Sequence, residues 1–220
     1  MPLRALIFDF DGTMLDTETP EFESWQTIYR DHGAELLLED WGRGIGTWGG
    51  FDPWHDLETK YGKPLELERI SVAHHERVKA AITVSVLLPG VLELLDAAKK
   101  AGLKLAIASS SSREWVHGWA EKLDVLHYFD VTSTKDDVLR VKPDPALYTV
   151  ALEKLGVTSK EAVAIEDSAN GAKAALAAGL RCIVIPNPVT RTLEFPDGVT
   201  KLETLEGVKL EELRLLAASD

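Results

Sequence analysis

Short apolar runs along this chain alternate with segments in which apolar residues recur three and four positions apart. The runs are short enough for buried strands, and the segments between them have the periodicity of one helix face. An opening strand ends before Asp9, and further strands are predicted over residues 103–108, 129–132, 162–165 and 181–185. Strands and helices that alternate at this spacing predict a mainly parallel sheet with right-handed crossovers. We therefore predict an α/β fold with a Rossmann-like, five-stranded core.

The stretch between the first and second strands is helical in pattern and contains no convincing strand. Thr19 and Pro20 are typical of a helix start, and Gly33 is typical of its end. Further helices are predicted over residues 35–41, 53–61 and 65–83. The predicted organisation is a core of residues 1–16 and 88–220 with an inserted all-helical cap of residues 17–87, hinged at its two linkers. Beyond residue 200 we predict one more short helical region.

The cap helices are interrupted by a stretch rich in glycine, residues 42–50. Five of these nine residues are glycine, which rules out a stable helix. No strand precedes the stretch, so it lacks the context of a dinucleotide-binding loop. We interpret it as a mobile loop, and a plain linker and a substrate-contacting role remain equally open.

Composition narrows the class of protein. The 220 residues are 45% hydrophobic and 27% charged, with a formal net charge of −12, which argues against sequence-independent binding of nucleic acid. No signal peptide precedes Asp9, and no apolar run is long enough for a membrane span. Cys182 is the single cysteine and lies in an apolar run, which favours a buried thiol. A cytoplasmic protein that binds neither nucleic acid nor membranes is expected.

Two acidic residues, Asp9 and Asp11, follow the first strand directly. Gly12 comes next and permits a sharp turn. The carboxyl end of a central strand is where open α/β sheets bind ligands. Two carboxylates this close repel each other unless a cation or a shared proton is present. For an isolated pair of this kind, a solvated acidic turn is the better interpretation.

Three other loops of the predicted core supply complementary groups. Ser109 opens a run of four serines after the second strand, Lys142 stands before Pro143, and Glu166 and Asp167 end the fourth strand. Carboxylates bind a hard cation such as Mg²⁺, which prefers few carboxylates together with substrate phosphate. A hydroxyl and an ammonium can bind the remaining phosphate oxygens, and a carboxylate can act as the nucleophile of phosphoryl transfer.

In order and spacing, these motifs resemble those of the haloacid dehalogenase-like phosphatases, over nearly the whole chain. The predicted helical cap and the segments 16–18 and 166–171 are similar to the subgroup with phosphoglycolate phosphatase, β-phosphoglucomutase and sugar-phosphate phosphatases. The resemblance implies that Asp9 is the nucleophile that carries an aspartyl-phosphate and that Asp11 is the general acid and base. It also implies a Mg²⁺ ion held by the carboxylates of Asp9 and Asp167 and by the backbone carbonyl of Asp11.

The resemblance assigns the remaining motif residues to binding and support. Ser109 and Lys142 would bind the transferring phosphoryl group, and Thr13 would steady the loop or touch phosphate. Glu166 would support the metal site or be an additional ligand. The candidates for contacting the leaving group across the cap interface are Arg43, Trp48, Trp54 and His55. The alternative interpretation is that they belong to the core or the surface of the cap.

The expected function is that of a Mg²⁺-dependent phosphatase of small phosphorylated metabolites, such as sugar phosphates or phosphoglycolate, with no obligate protein partner. A β-phosphoglucomutase-like activity is the alternative. Against this alternative, those mutases resemble one another in having a histidine on a cap helix, at the position that is Glu21 here. They also have an arginine in a cap loop, and the loop from Gly44 in this chain lacks it. A non-catalytic binding or regulatory protein on the same fold is the alternative of another class, although no motif residue is missing.

Overall fold

The computed structural model describes residues 2–47, 50–84 and 86–218, and its centre is a six-stranded, wholly parallel sheet. The strands are β1 (Ala5–Phe8), β2 (Lys104–Ala108), β3 (Val131–Ser133), β4 (Ala162–Glu166), β5 (Arg181–Val184) and β6 (Thr200–Lys201). Their order in the sheet is β3-β2-β1-β4-β5-β6. The α/β, Rossmann-like class is confirmed, and the five predicted strands are present within two residues at each end.

The predicted sheet was one strand short, and a purely helical region from residue 200 was wrong. Thr200 and Lys201 pair with Ile183 and Val184, so β6 continues the sheet beyond β5. This strand has two residues and no apolar run. Its backbone pairs with groups of β5 that would be unpaired if β5 were the edge of the sheet. The predicted helix follows only at residue 210.

Helices form the cap and cover both faces of the sheet. In the cap lie α1 (Glu18–Asp31), α2 (Leu38–Gly42), α3 (Pro53–Tyr61) and α4 (Leu67–Thr83). Around the sheet lie α5 (Val91–Lys100), α6 (Arg113–Lys122), α7 (Ala146–Leu155), α8 (Ala169–Ala177) and α9 (Leu210–Ala218). None of the helices within the described ranges is both long and apolar enough to cross a membrane.

The first strand is buried on both faces because hydrophobic clusters lie above and below it. Leu6 and Phe8 belong to a cluster with residues of α5, α6 and α9. Ala5 and Ile7 belong to a second cluster, with residues of α7 and α8, in which the Cys182 thiol is buried as expected. Alternate residues of β1 thus anchor opposite layers, which holds its carboxyl end rigidly at the centre of the sheet.

The cap has a hydrophobic cluster of its own, built around Trp25 and Tyr29 of α1. Trp54 belongs to this cluster rather than to a binding surface, since its ring meets that of Trp25 edge to face at 4.8 Å. The chain leaves and re-enters the core side by side, with Leu15 paired to Leu87.

Candidate active site

The carboxyl ends of three neighbouring strands bring the predicted site residues together. Phe8 lies in register with Ile107 of β2 and Ile165 of β4. Asp9, Ser109 and Asp167 therefore follow these strands at the same edge of the sheet. The strand order reverses at β1, and such a reversal is the place where open α/β sheets bind ligands.

The centre of the site is a buried cluster of four charged side chains. Oxygens of Asp9, Glu166 and Asp167 lie within 4.8 Å of one another. Lys142, which is 1% exposed, forms ion pairs with Asp9 and, at 2.6 Å, with Glu166 Oε1. One ammonium faces three carboxylates, so the cluster retains two uncompensated negative charges when all its groups are ionised.

This excess of negative charge is reflected in the pKa values. Burial raises the pKa of Asp9 to about 7; Lys142 opposes the rise, and Glu166 adds to it. Burial, Asp9 and Glu166 also raise the pKa of Asp167. Burial would lower the pKa of Lys142, but its two carboxylate partners outweigh burial and raise it. The lysine is therefore a permanent cation, and the carboxylates need a second positive charge to ionise together.

The donor set suits a hard divalent cation because every available ligand is an oxygen. The oxygens of Glu166 already have partners within the protein. Its Oε1 accepts from Lys142 and from the Tyr148 hydroxyl, and its Oε2 lies 3.3 Å from both Asp167 N and Ser168 Oγ. Each Glu166 oxygen has two such partners, whereas each carboxylate oxygen of Asp9 and Asp167 has one, so the two aspartates have more free lone pairs for a metal ion.

Asp167 is oriented by a residue that the sequence reasoning missed, Asn187. The amide Nδ2 of Asn187 donates to Asp167 Oδ2 at 2.7 Å. Its Oδ1 accepts from the backbone N–H groups of Val189 and Thr190, at 2.9 and 3.0 Å, which fixes the amide orientation. Asn187 lies just beyond β5, so a polar residue after the fifth strand end was the available signal.

Thr13 lies between two of the buried carboxylates. Its hydroxyl is 3.3 Å from Asp9 Oδ2 and 3.3 Å from Asp167 Oδ1. A hydroxyl has one proton, so it can donate to only one of them at a time. The Thr13 hydroxyl therefore lies between the carboxylate that follows β1 and one that follows β4.

Asp11 occupies a different environment, on the wall of the cleft. Its Oδ1 accepts from Trp115 Nε1 at 2.8 Å and from Thr17 Oγ1 at 3.1 Å. Its Oδ2 accepts from Ser111 Oγ at 2.6 Å and lies 3.4 Å from Ser109 Oγ. Trp115 and Ser111 were not among the predicted site residues. The two aspartates are thus unlike: Asp9 is bound to a lysine in the interior, and Asp11 is held by neutral donors beside open space.

A cleft of about 590 Å³ lies between the cap and this edge of the sheet. The core contributes Asp9, Asp11, Lys135, Trp115 and the four serines 109–112. The cap contributes Thr17, Glu18, Glu21, Trp41, Gly44, Gly46, Thr47 and Phe51. Asp9 and Asp11 therefore face a cleft whose opposite wall is formed by residues within the range 17–51.

Two predicted cap contacts are not brought to this cleft. The Arg43 side chain is 63% exposed and pairs with Asp40 at 3.4 Å. His55 is exposed in the first turn of α3 and does not line the cleft. Trp48 lies outside the described residues.

The glycine-rich segment is docked on the core where it is described. Gly46 O accepts from Ser110 Oγ at 3.0 Å, and Ile45 O accepts from Asn170 Nδ2 at 2.8 Å. A Cβ atom on Gly46 would lie 2.2 Å from Ser168 Oγ, and the φ angle of Gly46 is +75°. The absence of a side chain at this position is therefore what permits the close approach of cap and core.

Replacing this glycine tests the importance of the contact. Gly46→Ala is expected to displace the loop and lower kcat/KM about 10-fold or more, because the added methyl group cannot be accommodated beside Ser168. Steady-state kinetics would measure the loss. Gly33→Ala is a matched control, since Gly33 also has a positive φ but no atom within 4 Å of an added Cβ. Equal losses in the two variants would contradict a role for the docked loop.

Comparison with known proteins gives consistent matches over most of the chain. The sequence model described as haloacid dehalogenase-like hydrolase matches residues 6–185. YhcW of Bacillus subtilis (strain 168), provisionally named a phosphatase, is 45% identical over 94% of both chains. The phosphorylated carbohydrates phosphatase of Thermotoga maritima is 31% identical over 82% of this chain and 84% of its own length. The structure of a CbbY mutant from Rhodobacter sphaeroides with xylulose-(1,5)bisphosphate is 30% identical, with a TM-score of 0.70 over 93% of this chain and 96% of that one.

Proposed function

Because the chain belongs to the haloacid dehalogenase-like hydrolase family, we propose that it is a Mg²⁺-dependent phosphatase of small phosphorylated metabolites that forms an aspartyl-phosphate. The main support for the proposal is that buried Asp9 pairs with buried Lys142. A second aspartate, Asp11, follows two residues later and lines the cleft. The relatives named for phosphatase activity, one of them on phosphorylated carbohydrates, support the same reaction class.

In this proposal Asp9 attacks the phosphorus atom of the substrate. Its carboxylate oxygen forms the new bond while the bond to the leaving oxygen breaks, giving the aspartyl-phosphate. Lys142 offsets the charge of Asp9 and, with Ser109, binds the phosphoryl oxygens. Mg²⁺, held by Asp9, Asp167 and the Asp11 carbonyl, would supply further neutralisation of the phosphoryl charge. Glu166 accepts a hydrogen bond from Lys142 and another from the Tyr148 hydroxyl, which holds the lysine in place.

Asp11 is the proposed general acid and base. As an acid it gives a proton to the leaving oxygen, and as a base it then takes a proton from the water that attacks the aspartyl-phosphate. Its position on the cleft wall, with four neutral donors around it, leaves it within reach of the space where a leaving group would lie. Water then cleaves the phosphorus–oxygen bond to Asp9 and restores the carboxylate.

Residues 17–87 are the proposed substrate-specificity cap on a core of residues 1–16 and 88–220. The side-by-side crossings at Leu15 and Leu87 would act as the hinge. Closing the cap onto the core would exclude bulk water from the aspartates and complete the leaving-group wall.

Hydrolysis is favoured over a mutase reaction by the charges of the cap. A mutase must bind a bisphosphate at both ends, but residues 44–52 contain no lysine or arginine. Glu21, at the position of the mutase histidine, is itself paired with His74 Nε2 at 2.9 Å. A non-catalytic role is disfavoured because each motif residue is present and the motif side chains converge at one edge of the sheet.

A phosphatase screen tests the proposed function. Purified protein with MgCl₂ is expected to release phosphate from at least one member of a panel of sugar phosphates, phosphoglycolate and nucleotides. The same panel with EDTA should give no release. β-Glucose 1-phosphate, followed for conversion to glucose 6-phosphate, tests the mutase alternative. No release from any substrate would refute the proposal.

The charge cluster also predicts how metal and pH act together on stability. In the metal-free native state the pKa of Asp9 is raised to about 7 from an ordinary value of 3.8. Between these values the native state holds a proton that the unfolded state has lost. Stability therefore falls as pH rises through this window, by at most about 1.4 kcal/mol per pH unit for one proton. Mg²⁺ should relieve this loss.

Thermal unfolding with and without MgCl₂ measures the effect. The gain in Tm on adding MgCl₂ is expected to be larger at about pH 7.5 than at about pH 5, because protons and metal compete for the same carboxylates. NaCl at matched ionic strength is the control and should give no such difference. An equal gain at both pH values would contradict the assignment of the metal site.

A further inference from the structure

Asp167 is placed by two segments of the core that also contact the cap. The first segment is residues 166–171, which join β4 to α8. The second is residues 187–193, in which Asn187 donates to Asp167 Oδ2 at 2.7 Å. Both segments meet residues 42–46 of the cap, which we call the docked turn. The parts of the core that hold this turn are therefore the parts that position one carboxylate of the proposed metal site.

Asn170 makes the polar contacts between the first segment and the docked turn. Its Nδ2 donates to Ile45 O at 2.8 Å and lies 3.3 Å from Arg43 O. Ser168 is so close to the turn that a Cβ atom on Gly46 would lie 2.2 Å from its Oγ. Asn170 is not among the residues that line the cleft. Its side chain therefore acts on the position of the turn.

Leu193 makes the apolar contact between the second segment and the docked turn. A Cβ atom on Gly42 would lie 2.5 Å from Leu193 Cδ2, so the two residues pack closely. Leu193 N donates to Thr190 O at 3.0 Å, and Thr190 N donates to Asn187 O at 3.2 Å. These bonds join Leu193 to the loop whose asparagine orients the Asp167 carboxylate.

The first segment has little room to move independently of Asp167. Ser168 Oγ accepts from Gly171 N at 3.0 Å and lies 3.3 Å from Glu166 Oε2. A Cβ atom on Gly171 would lie 2.1 Å from both carboxylate oxygens of Glu166. Asp167 and Asn170 lie on this closely packed turn, three residues apart in sequence. The position of each is therefore expected to depend on that of the other.

The docked arrangement is also the one in which the acidic side chains converge. With the turn in contact with the core, oxygens of Asp9, Glu166 and Asp167 lie within 4.8 Å of one another. A cation that binds this arrangement more tightly than one with Asp167 displaced must favour docking of the turn. Such a linkage is reciprocal, so docking would strengthen cation binding by the same factor.

We propose that Asn170 is a positioning residue that couples docking of the cap turn to metal binding at Asp167. The inference rests on the proposed metal site and adds a regulation of it, because the turn docks on the metal-loaded core in preference to the metal-free one. Gly44, Gly46 and Thr47 line the cleft. The coupling would thus complete the cap wall of the cleft chiefly in the protein that is able to react.

Cleavage by trypsin at Arg43 measures docking of the turn. Arg43 is the single lysine or arginine among residues 31–59, and its side chain is 63% exposed. Asn170 holds the backbone on both sides of the cleavage point, so cleavage requires local opening and its rate follows the open population. Saturating MgCl₂ is expected to slow this cleavage about 5-fold or more. NaCl at matched ionic strength, and a short peptide substrate that reports trypsin activity, are the controls.

Variants in the two segments test the coupling itself. Asn170→Ala is expected to speed cleavage at Arg43 and to reduce the effect of MgCl₂ to less than about twofold. Isothermal titration calorimetry should show Mg²⁺ binding weakened about 5-fold, because linkage is reciprocal. Leu193→Ala should change both measurements in the same direction. Lys173→Ala, at an exposed position of α8, is the matched control. A purely structural role of Asn170 would speed cleavage and leave the Mg²⁺ affinity unchanged.

Calorimetry separates this inference from the proposed function. Mg²⁺ binding to the wild type without protection of Arg43 would overturn the coupling and leave the metal site standing. Wild-type Mg²⁺ affinity in Asn170→Ala would overturn the coupling too. Absence of Mg²⁺ binding to the wild type would overturn the proposed metal site and the coupling together. Loss of protection with weaker Mg²⁺ binding in Asn170→Ala, but not in Lys173→Ala, would support the coupling.

Discussion

Asp9→Asn is expected to lower kcat for phosphate release about 10³-fold or more, because a neutral amide cannot form the acyl-phosphate bond. The change preserves side-chain volume and removes one of three carboxylates that crowd a buried site. The fold should therefore be retained, with a Tm equal to or above that of the wild type when metal is absent. Steady-state kinetics and thermal unfolding measure the two effects.

Asp124→Asn provides the matched control. The Asp124 side chain is 98% exposed, and the residue has a φ of +56°, which asparagine adopts readily. This variant should have unchanged kinetics. If Asp9→Asn retained more than about a tenth of the wild-type kcat, another group would have to be the nucleophile.

Lys142→Met is expected to impair both stability and catalysis. The ammonium is the partner of Asp9 and Glu166 in the interior, so removing it leaves three carboxylates without a protein cation. Breaking a buried ion pair by removing one partner costs about 3–5 kcal/mol. For a chain of this size that corresponds to a fall in Tm of roughly 10 °C, and phosphate release should be lost with it.

Thermal unfolding with and without MgCl₂ checks this expectation. Because Mg²⁺ supplies positive charge to the same cluster, it should stabilise Lys142→Met more than the wild type. Lys173→Met, at an exposed position of α8, is the control and should behave as wild type. A Lys142→Met protein with wild-type Tm and activity would contradict the central position of this lysine.

Much of the core could be predicted from the sequence because each strand is a short apolar run and each chemical group follows a strand end. Asp9, Ser109 and Asp167 were found in this way, since parallel strands bring their carboxyl ends to one edge. Lys142 was selected as a cation fixed beside Pro143, and the family resemblance supplied its expected role in binding phosphate. The matching family model and relatives confirm that resemblance.

The residues that were missed reach the site from places that no local pattern marks. Trp115 has an apolar role in the periodicity of α6, yet its indole N–H binds Asp11. Tyr148 lies on α7 and donates to Glu166 through the core. Both contacts depend on how a helix is rotated against the sheet, which sequence spacing alone does not determine. Strand β6 was missed because two polar residues carry no strand signal.

The cap was predicted as a set of helices but not as a binding surface. Arg43 and His55 were selected for their chemistry, whereas the described cleft is lined by Glu18 and Trp41. Which face of a cap helix meets the core depends on docking contacts such as that of Gly46 with Ser110. Those contacts join parts of the chain that are far apart in sequence, so helical periodicity gives no indication of them.

Capture of a phosphoryl group on Asp9 would directly test whether this residue is the nucleophile. Protein mixed with Mg²⁺ and a ³²P-labelled substrate from the screen would be quenched in acid within a single turnover and digested. The proposed mechanism predicts label on the peptide that contains Asp9, lost on treatment with hydroxylamine and absent from Asp9→Asn. Rapid phosphate release with no protein-bound label at any quench time, together with an active Asp9→Asn variant, would contradict it.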